Sequence, residues 1–169
     1  QTKAAGDIAV AMAPKHYILR SSWVIGDGHN FVKTMMALSD RVANPDEALE
    51  QVTVVDDQIG RLTFTQDMAR AIFFLIDREA PYGTYDLTSS GDSVSWAAIA
   101  REVFAQANGN GQAIKPINTE EYFANATAPV SPRPTHSTLD LAKIEETGFE
   151  PSDWRDERHA YVAAARQAE

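Results

Sequence analysis

Polar side chains in three loop segments could hold an anionic ligand. Arg133 lies in a proline-rich stretch, and its planar guanidinium suits a diphosphate, with a surface ion pair as the alternative. Asn30 could hold an anion or cap a helix, and the two roles are compatible. Gln58 lies in a polar loop, where it could contact a ligand or simply face solvent. Taken alone, these residues leave the chemistry incomplete.

The common patterns of catalytic and metal sites are missing from the sequence. The four histidines do not stand at ligand spacing and there is no cysteine, so no zinc site is expected. Gly26-Asp27-Gly28 lies between a predicted strand and a predicted helix, as a dinucleotide-binding loop does. The third fingerprint position holds Phe31 instead of glycine, so a turn with a helix cap is the better interpretation. No G-x-S-x-G or Walker pattern occurs.

The composition of the chain limits the kinds of molecule that it is expected to bind. The chain has 169 residues, 44% hydrophobic and 23% charged, as expected for one globular domain. Its net charge of −9 and the lack of a basic stripe argue against nucleic acid as a partner. Apolar runs, such as residues 71–76, are too short to span a membrane, and no signal-peptide pattern is present. With no cysteine, these features predict a cytoplasmic protein.

Alternating helical and strand patterns predict a mixed α/β fold. Helices are predicted around residues 5–12, 31–42, 65–76, 96–107, 119–123, 141–147 and 152–162, and strands over 16–24, 52–55, 84–88 and 113–118. Asn30, Ser95 and Thr119 are the expected caps. In the helix over 65–76, Met68, Ile72, Leu75 and Ile76 are expected to face the core. The helix over 96–107 is expected to bury one face and to end at the Asn-Gly-Asn-Gly run that includes Gly109; the expected inner residues are Trp96, Ile99, Ala100, Val103, Phe104 and Ala107. Residues 124–138 predict an irregular loop. Because helices separate the strands, parallel pairing is favoured.

Short motifs occur in a fixed order along the whole chain. They are KAAGD at 3–7, LRSSWVIG at 19–26, NFVKTM at 30–35, VVDDQIG and TFT at 54–60 and 63–65, YGTYDLT and SW at 82–88 and 95–96, RPTHSTLD at 133–140 and DWR at 153–155. Together they resemble the extended short-chain dehydrogenase/reductase family, and most closely its dTDP-4-dehydrorhamnose reductases. Two positions depart from that pattern, with Ile25 in place of the usual Tyr and Leu62 in place of the usual Pro.

The resemblance implies the fold class and the domain organisation. It implies an α/β fold that is the C-terminal substrate-binding portion of an extended short-chain dehydrogenase, with a truncated NAD(P)-binding Rossmann domain. Residues 1–169 would be a single substrate-binding part of a longer reductase, with residues 1–25 as the remnant of the Rossmann half. A start in mid-helix without Met agrees with a fragment. The family's glycine-rich fingerprint, its catalytic Tyr and its Ser/Thr partner would lie outside this chain.

The reaction implied by the resemblance is hydride transfer from NADPH or NADH to C4 of dTDP-4-dehydro-L-rhamnose, in L-rhamnose biosynthesis. Lys3 falls where the family has the lysine of a Tyr–Lys pair, spaced i and i+4 on one helix face. Its ammonium would lower the pKa of the tyrosine and bind the nicotinamide ribose, which makes Lys3 both catalytic and cofactor-binding. The tyrosine would precede Gln1. A solvated lysine is the alternative.

The resemblance also implies the binding residues and the partners. Trp23, Asn30, Gln58 and Arg133 would bind the substrate, with Trp23 against the sugar ring unless it is an ordinary core tryptophan. The implied partners are a dTDP-sugar and, in a homodimer, a second copy, with neither nucleic acid nor membrane. In some family members the reductase is fused to a 3,5-epimerase domain, which the longer protein could also carry.

Two alternatives of other classes stay open. Another extended dehydrogenase, such as a nucleotide-sugar epimerase, would share Lys3 and the loop after the first strand, although the motifs around Gln58 and Arg133 argue against it. The regulatory subunit of methionine adenosyltransferase also resembles this family, and it acts as a binding partner instead of a reductase. An intact tyrosine four residues before Lys3 would favour the enzyme.

Overall fold

Helices and strands alternate along the chain, which confirms the predicted α/β class. The computed structural model describes residues 1–124, 126–127 and 129–167. Its helices are α1 Thr2–Ala11, α2 Phe31–Ala43, α3 Thr65–Asp77, α4 Trp96–Asn108, α5 Thr119–Phe123, α6 Ala142–Glu145 and α7 Trp154–Gln167. Its strands are β1 Tyr17–Arg20, β2 Val24–Ile25, β3 Val52–Val55, β4 Ile59–Gly60, β5 Thr63–Phe64, β6 Gly83–Asp86, β7 Val94–Ser95 and β8 Ile114–Ile117.

The strands of the described residues form four two-stranded sheets. β1 pairs with β6, β2 with β5 and β3 with β8, and all three pairs are parallel. Parallel strands need a long crossover, and helices lie within each of these connections, as the sequence predicts. β4 and β7 pair antiparallel. The sequence does not reveal this fourth pair, because two residues are too few to show a hydrophobic period.

The larger core surrounds α4. Its predicted inner face is confirmed, since Ile99, Ala100, Val103 and Phe104 are fully buried among residues of α2, α7, β3 and β8. The hydroxyl of the predicted cap Ser95 accepts from the backbone N–H of Ala98, and Gly109 ends the helix with a left-handed φ of 70°. Local signals at both ends therefore set the limits of this helix.

A smaller core lies between α3, β6 and α6, and it corrects one prediction. Ala71 and Leu75 form the buried face of α3, whereas the side chains of Ile72 and Ile76 are 41% and 52% exposed. The expectation that Ile72 and Ile76 face the core is therefore wrong. Residues 71–76 are apolar at every position, so the helical period does not reveal which side is buried.

Two local boundaries also differ from the predictions. The single strand predicted over 16–24 is divided into β1 and β2, because Trp23 has a left-handed φ of 51° that interrupts the extended chain. Thr119 is the first residue of α5 and not its cap. The cap is Asn118, whose Oδ1 accepts from the backbone N–H of Glu121 at 2.7 Å.

The first helix, α1, buries none of its residues. Its apolar side chains stand in solvent, with Ile8 70% and Met12 81% exposed. An ion pair at 2.8 Å between Asp7 and Arg20 connects it to β1. An amphipathic helix is normally stabilised by the surface it covers, so α1 presents an apolar face that the described residues leave uncovered.

Candidate functional site

Trp23 occupies the turn between β1 and β2 in a conformation that costs an L-residue about 1–3 kcal/mol. The backbone carbonyl of Trp23 accepts from the backbone N–H of Thr63 at 3.1 Å, and the Thr63 hydroxyl donates to the carbonyl of Ser22 at 2.6 Å. The indole stacks on Trp96, with ring centroids 3.8 Å apart and planes inclined by 22°. Strand β5 and helix α4 therefore hold this strained turn in place.

Backbone hydrogen bonds tie the segment 133–138 to β4. The N–H of Ile59 donates to the carbonyl of Thr135 at 2.8 Å, and the N–H of Ser137 donates to the carbonyl of Ile59 at 2.7 Å. The hydroxyl of Ser22 donates to the carbonyl of Ser137 at 2.9 Å. The predicted irregular loop over 124–138 contains only an isolated bridge among its described residues, and positions 125 and 128 lie outside them.

These bonds bring together the three backbone segments that carry predicted binding residues. Trp23 directly follows Ser22, Gln58 directly precedes Ile59, and Arg133 lies two residues before Thr135. We call the three segments that carry them, residues 22–24, 57–60 and 133–138, the loop face. Segments that carry an indole, an amide and a guanidinium are therefore neighbours in the fold.

Arg133 is the exposed cation of the loop face. Among the residues that the structure describes, no carboxylate forms an ion pair with it, so the surface ion pair considered as its alternative role is not observed. A guanidinium carries five N–H donors in a planar fork that fits two phosphate oxygens. The geometry leaves this group free to bind an anion.

Gln58 is half-buried, and part of its amide is engaged. Its Nε2 donates to the hydroxyl of Thr119 at 3.0 Å. The same hydroxyl and the backbone N–H of Thr119 donate to Asp57, and these hydrogen bonds lower the pKa of the Asp57 carboxyl. Asp57 and Gln58 together fix the start of α5 beside the loop face.

Asn30 makes its hydrogen bonds within the protein. Its Oδ1 accepts from the backbone N–H of Lys33 at 3.1 Å, which confirms the predicted helix cap. Its Nδ2 donates to the carbonyls of Gly26 and Gly28 and to the hydroxyl of Tyr161. The side chain therefore organises the turn before α2, and the structure shows no contact between it and the loop face.

Lys3 lies in the first turn of α1 and is exposed. It forms no ion pair with any described residue. No hydrogen bond or ion pair joins it to Trp23, Gln58 or Arg133. Its ammonium is available to a group outside this chain.

The sequence did not reveal a cavity of about 390 Å³ between the start of α2, the start of α3, and α7. Ile25, Phe64 and Tyr161 line it together with Lys33 and Glu157. The available signal was in α7, where Glu157 falls three residues after Trp154 and four before Tyr161. That spacing puts an acid on the apolar face of the helix.

Glu157 is a half-buried acid in the wall of this cavity. Burial raises the pKa of its carboxyl to about 7, and the nearby carboxylates of Asp67 and Asp153 contribute to the increase. A hydrogen bond from the Ser89 hydroxyl at 2.6 Å and the charge of Arg70 act in the opposite direction. Near neutral pH this carboxyl is present in both protonation states.

The part of the chain that the structure describes contains neither a metal-binding cluster nor a membrane-spanning helix. No group of three or more His, Cys, Asp or Glu side chains lies close enough to hold a metal ion within residues 1–124, 126–127 and 129–167. In the same part of the chain, no helix has both the length and the apolar character needed to cross a membrane.

Solved structures define the class of the fold. A dTDP-4-dehydrorhamnose reductase from Clostridium acetobutylicum matches 98% of this chain and 54% of its own, with a TM-score of 0.82 and 34% identity. A UDP-galactose 4-epimerase matches 98% of this chain with a TM-score of 0.70, and its 16% identity shows the fold alone. This chain has the α/β fold of the extended short-chain dehydrogenases.

The chain belongs to the RmlD substrate binding domain family, which matches residues 1–167. Spore coat polysaccharide biosynthesis protein SpsK of Bacillus subtilis (strain 168) is 36% identical over 164 residues, which are 96% of this chain and 52% of that protein. The dTDP-4-dehydrorhamnose reductase of Bacillus anthracis, solved with NADP, is 31% identical with a TM-score of 0.79, over 96% of this chain and 53% of its own. This chain spans about half the length of the curated relatives it matches.

Proposed function

We propose that this chain is the nucleotide-sugar-binding part of a reductase that converts dTDP-4-dehydro-L-rhamnose to dTDP-L-rhamnose with NADPH or NADH. The observation that carries this proposal is the loop face, where the segments that carry Trp23, Gln58 and Arg133 are joined by hydrogen bonds within a domain that matches its family from residue 1 to residue 167. Relatives named dTDP-4-dehydrorhamnose reductase support the substrate, and the NADP complex of one of them supports the cofactor. None of these relatives favours the methionine adenosyltransferase subunit, and the epimerase shares only the fold.

A dinucleotide-binding half would pack against α1, α3 and the free edge of β1, with residues 1–25 as its remnant in this chain. Among the described residues, β1 pairs only with β6, so its other edge is open to a further strand. The apolar side chains of Ile8, Met12 and Phe73 are largely exposed on the two helices. Such a half would cover this apolar surface and complete the sheet.

Lys3 would act where the two halves meet. Bound NADPH or NADH supplies the hydride. The exposed ammonium of Lys3 would hold the nicotinamide ribose by hydrogen bonds, and its positive charge would lower the pKa of a tyrosine one helical turn earlier. That tyrosine could then deliver a proton to the substrate oxygen near neutral pH.

The loop face would bind the part of the substrate that does not react. The Arg133 guanidinium would bind the diphosphate, while Trp23 and Gln58 would contact the nucleotide or the sugar. Asn30 would contribute by keeping the turn over residues 26–30 in shape. A homodimer and a cytoplasmic location are part of the same proposal.

Calorimetric titration of the chain with dTDP-L-rhamnose and with UDP-glucose tests the binding role. We expect saturable binding of the dTDP-sugar, and a clear preference for it over UDP-glucose. The reaction is tested in a protein that joins this chain to a complete dinucleotide-binding half. That protein should oxidise NADPH when dTDP-4-dehydro-L-rhamnose is added. Equal affinity for both sugars, or no oxidation by the longer protein, would contradict the proposal.

A further inference from the structure

The indole of Trp23 is covered on both faces. A Cβ atom built on Gly60 would lie 2.9, 2.9 and 3.1 Å from ring atoms Cε2, Cζ2 and Cη2 of Trp23. Three nearly equal distances to consecutive ring atoms place Gly60 over the ring plane, because an approach in the plane reaches one or two atoms first. Trp96 stacks at 3.8 Å and must occupy the opposite face, since both groups cannot fit on one. A ligand can therefore approach the indole only along its edge.

Trp96, which covers one face of the Trp23 indole, is held in place by the residues around it. Trp96 begins α4, whose following turns are buried in the larger core. The ring of Phe31 packs against Trp96 with centroids 4.5 Å apart. Ser95, which caps the helix, donates its hydroxyl to Asp56 at 2.5 Å. Trp96 is thus a fixed surface on which the indole of Trp23 rests.

The Gly60 side connects the indole to the rest of the loop face. Gly60 pairs with Val94 in the short sheet formed by β4 and β7. Its neighbour Ile59 holds the segment that carries Arg133. A side chain at residue 60 would move the indole, the strand or both, so glycine is needed here for close approach and not for an unusual φ.

The exposed edge of the indole includes a free donor. Trp23 Nε1 makes no hydrogen bond to a described residue, and it is not among the buried unpartnered atoms of those residues, so it reaches solvent. In contrast, Nε1 of the buried Trp154 donates to the carbonyl of Asp92 at 2.8 Å. An indole N–H held in one orientation at the surface suits an oxygen atom of a ligand.

We propose that Trp96 and Gly60 are positioning residues that hold Trp23 edge-on, so that its Nε1–H donates to an oxygen of the bound nucleotide sugar. This proposal rests on the proposed function for the ligand, but the clamp itself is a property of the three residues. Holding the ring beforehand removes the entropy cost of ordering it when the ligand binds. The two residues therefore act on affinity through Trp23.

Three variants and one control test the proposal. Gly60→Ala and Trp96→Leu release the ring from either side, while Trp96→Phe keeps a flat surface under it. Phe74→Leu is the control, because it removes an aromatic contact with Phe149 in the smaller core, away from Trp23. The exciton couplet of the stacked indoles in circular dichroism reports the clamp, and titration with dTDP-L-rhamnose reports its effect. Thermal melting identifies any variant that fails to fold.

We expect Gly60→Ala and Trp96→Leu to weaken binding about two- to tenfold, which corresponds to the cost of immobilising one side chain. The couplet should weaken in Gly60→Ala and vanish in both Trp96 variants. Trp96→Phe should retain most of the affinity, and Phe74→Leu should retain all of it. The indole N–H signal of Trp23 in nuclear magnetic resonance spectra should shift when ligand is added to the wild type.

The outcomes that would refute the positioning role of Gly60 and Trp96 differ from the outcome that would refute the proposed function. If Gly60→Ala changes the couplet but binds dTDP-L-rhamnose as tightly as the wild type, Gly60 and Trp96 do not position a binding group. A Trp23 N–H signal that does not respond to ligand, in a wild type that binds it, would refute the positioning role as well. If the wild type shows an intact couplet but binds no dTDP-sugar, the proposed function itself is refuted.

Discussion

The loop face and the surface of α1 differ in how this chain supports them. The loop face is held by hydrogen bonds from Ile59, Thr63 and Ser137 and by the stack of Trp23 on Trp96. α1 buries no side chain, and an ion pair between exposed groups, which is worth about 0–1 kcal/mol, connects it to β1. The chain thus holds the segments of the loop face by several contacts, and presents Lys3, the residue expected to do chemistry, on an uncovered helix.

This difference suggests how the work is divided within the longer relatives. Recognition of a ligand needs residues that are fixed before it arrives, and the loop face has them. The catalytic role proposed for Lys3 would need a tyrosine and a nicotinamide held against it, both expected from outside the described residues. Substitutions at the two surfaces should therefore have separable effects on binding, on turnover and on stability.

The largest expected effect concerns activity of the chain alone. We expect the 169-residue chain to show no reductase activity, because the position of the tyrosine partner of Lys3 precedes Gln1. The measurement is NADPH oxidation with dTDP-4-dehydro-L-rhamnose, with the longer protein as the positive control. Oxidation above the background rate by the chain alone would mean that α1 is already part of a complete site.

Lys3→Met in the longer protein should reduce turnover about 10²–10⁴-fold, the usual contribution of an acid–base group. The fold should be nearly unaffected, because Lys3 is exposed and packs against none of the described core. Steady-state kinetics and thermal melting provide the two measurements. Lys15→Met, which changes another exposed lysine just after α1, is the matched control. Near-normal turnover at neutral pH would make Lys3 a solvated bystander.

Arg133→Ala in the longer protein should raise KM about ten- to hundredfold, because a hydrogen bond to a charged group contributes about 1.5–3 kcal/mol. Turnover should change little, since the diphosphate is remote from the reacting carbonyl and its binding is felt equally in ground and transition states. Arg133→Lys should recover only part of the affinity, because an ammonium lacks the planar fork. A collapse of kcat at unchanged KM would place Arg133 at the reacting centre instead.

Glu157→Gln should change how stability depends on pH. The folded-state pKa of about 7 lies above the ordinary value of 4.5 for a glutamate, so Glu157 favours folding below pH 4.5 and loses that contribution as pH rises through 7. Because the group is only half-buried, solvent screening reduces the effect to about 1 kcal/mol.

The glutamine variant should therefore be more stable than the wild type at pH 8 and have a flatter profile between pH 5 and 8. Urea unfolding at several pH values measures this, and Glu146→Gln, at an exposed position, is the control. Identical profiles for the wild type and Glu157→Gln would show that burial does not perturb this carboxyl.

The sequence predicted those features of the fold that are determined by residues close together along the chain. The inner face of α4, the caps Asn30 and Ser95 and the end at Gly109 follow from helical period and local hydrogen bonding, and all are observed. Residues 71–76 show where this kind of prediction fails. Every residue of this run is apolar, so the sequence pattern does not indicate which side of the helix faces the core. The turn at Trp23 is a second feature that the sequence did not predict, because its left-handed conformation is stabilised by strands and helices far away in sequence.

The sequence selected candidate residues for the site but did not reveal how they are arranged. The resemblance to the reductases marked Trp23, Gln58 and Arg133, and backbone bonds that no local pattern encodes place them together. The resemblance did not indicate that both faces of the Trp23 indole are covered or that Glu157 lies in a cavity wall. Both features arise where segments from distant parts of the chain pack, and a single sequence does not specify which segments meet.

The hydrogen bond between Ser22 and Ser137 spans 115 residues of chain, and this has a consequence for the order of folding. Contacts between such distant segments form late, because closing a long loop costs chain entropy before any bond compensates for it. On the ribosome, both cores can begin to assemble while residues 133–138 are still being synthesised. The loop face would then be complete only after residues 133–138 have been synthesised, so a nascent chain that ends before them would lack one of its three segments.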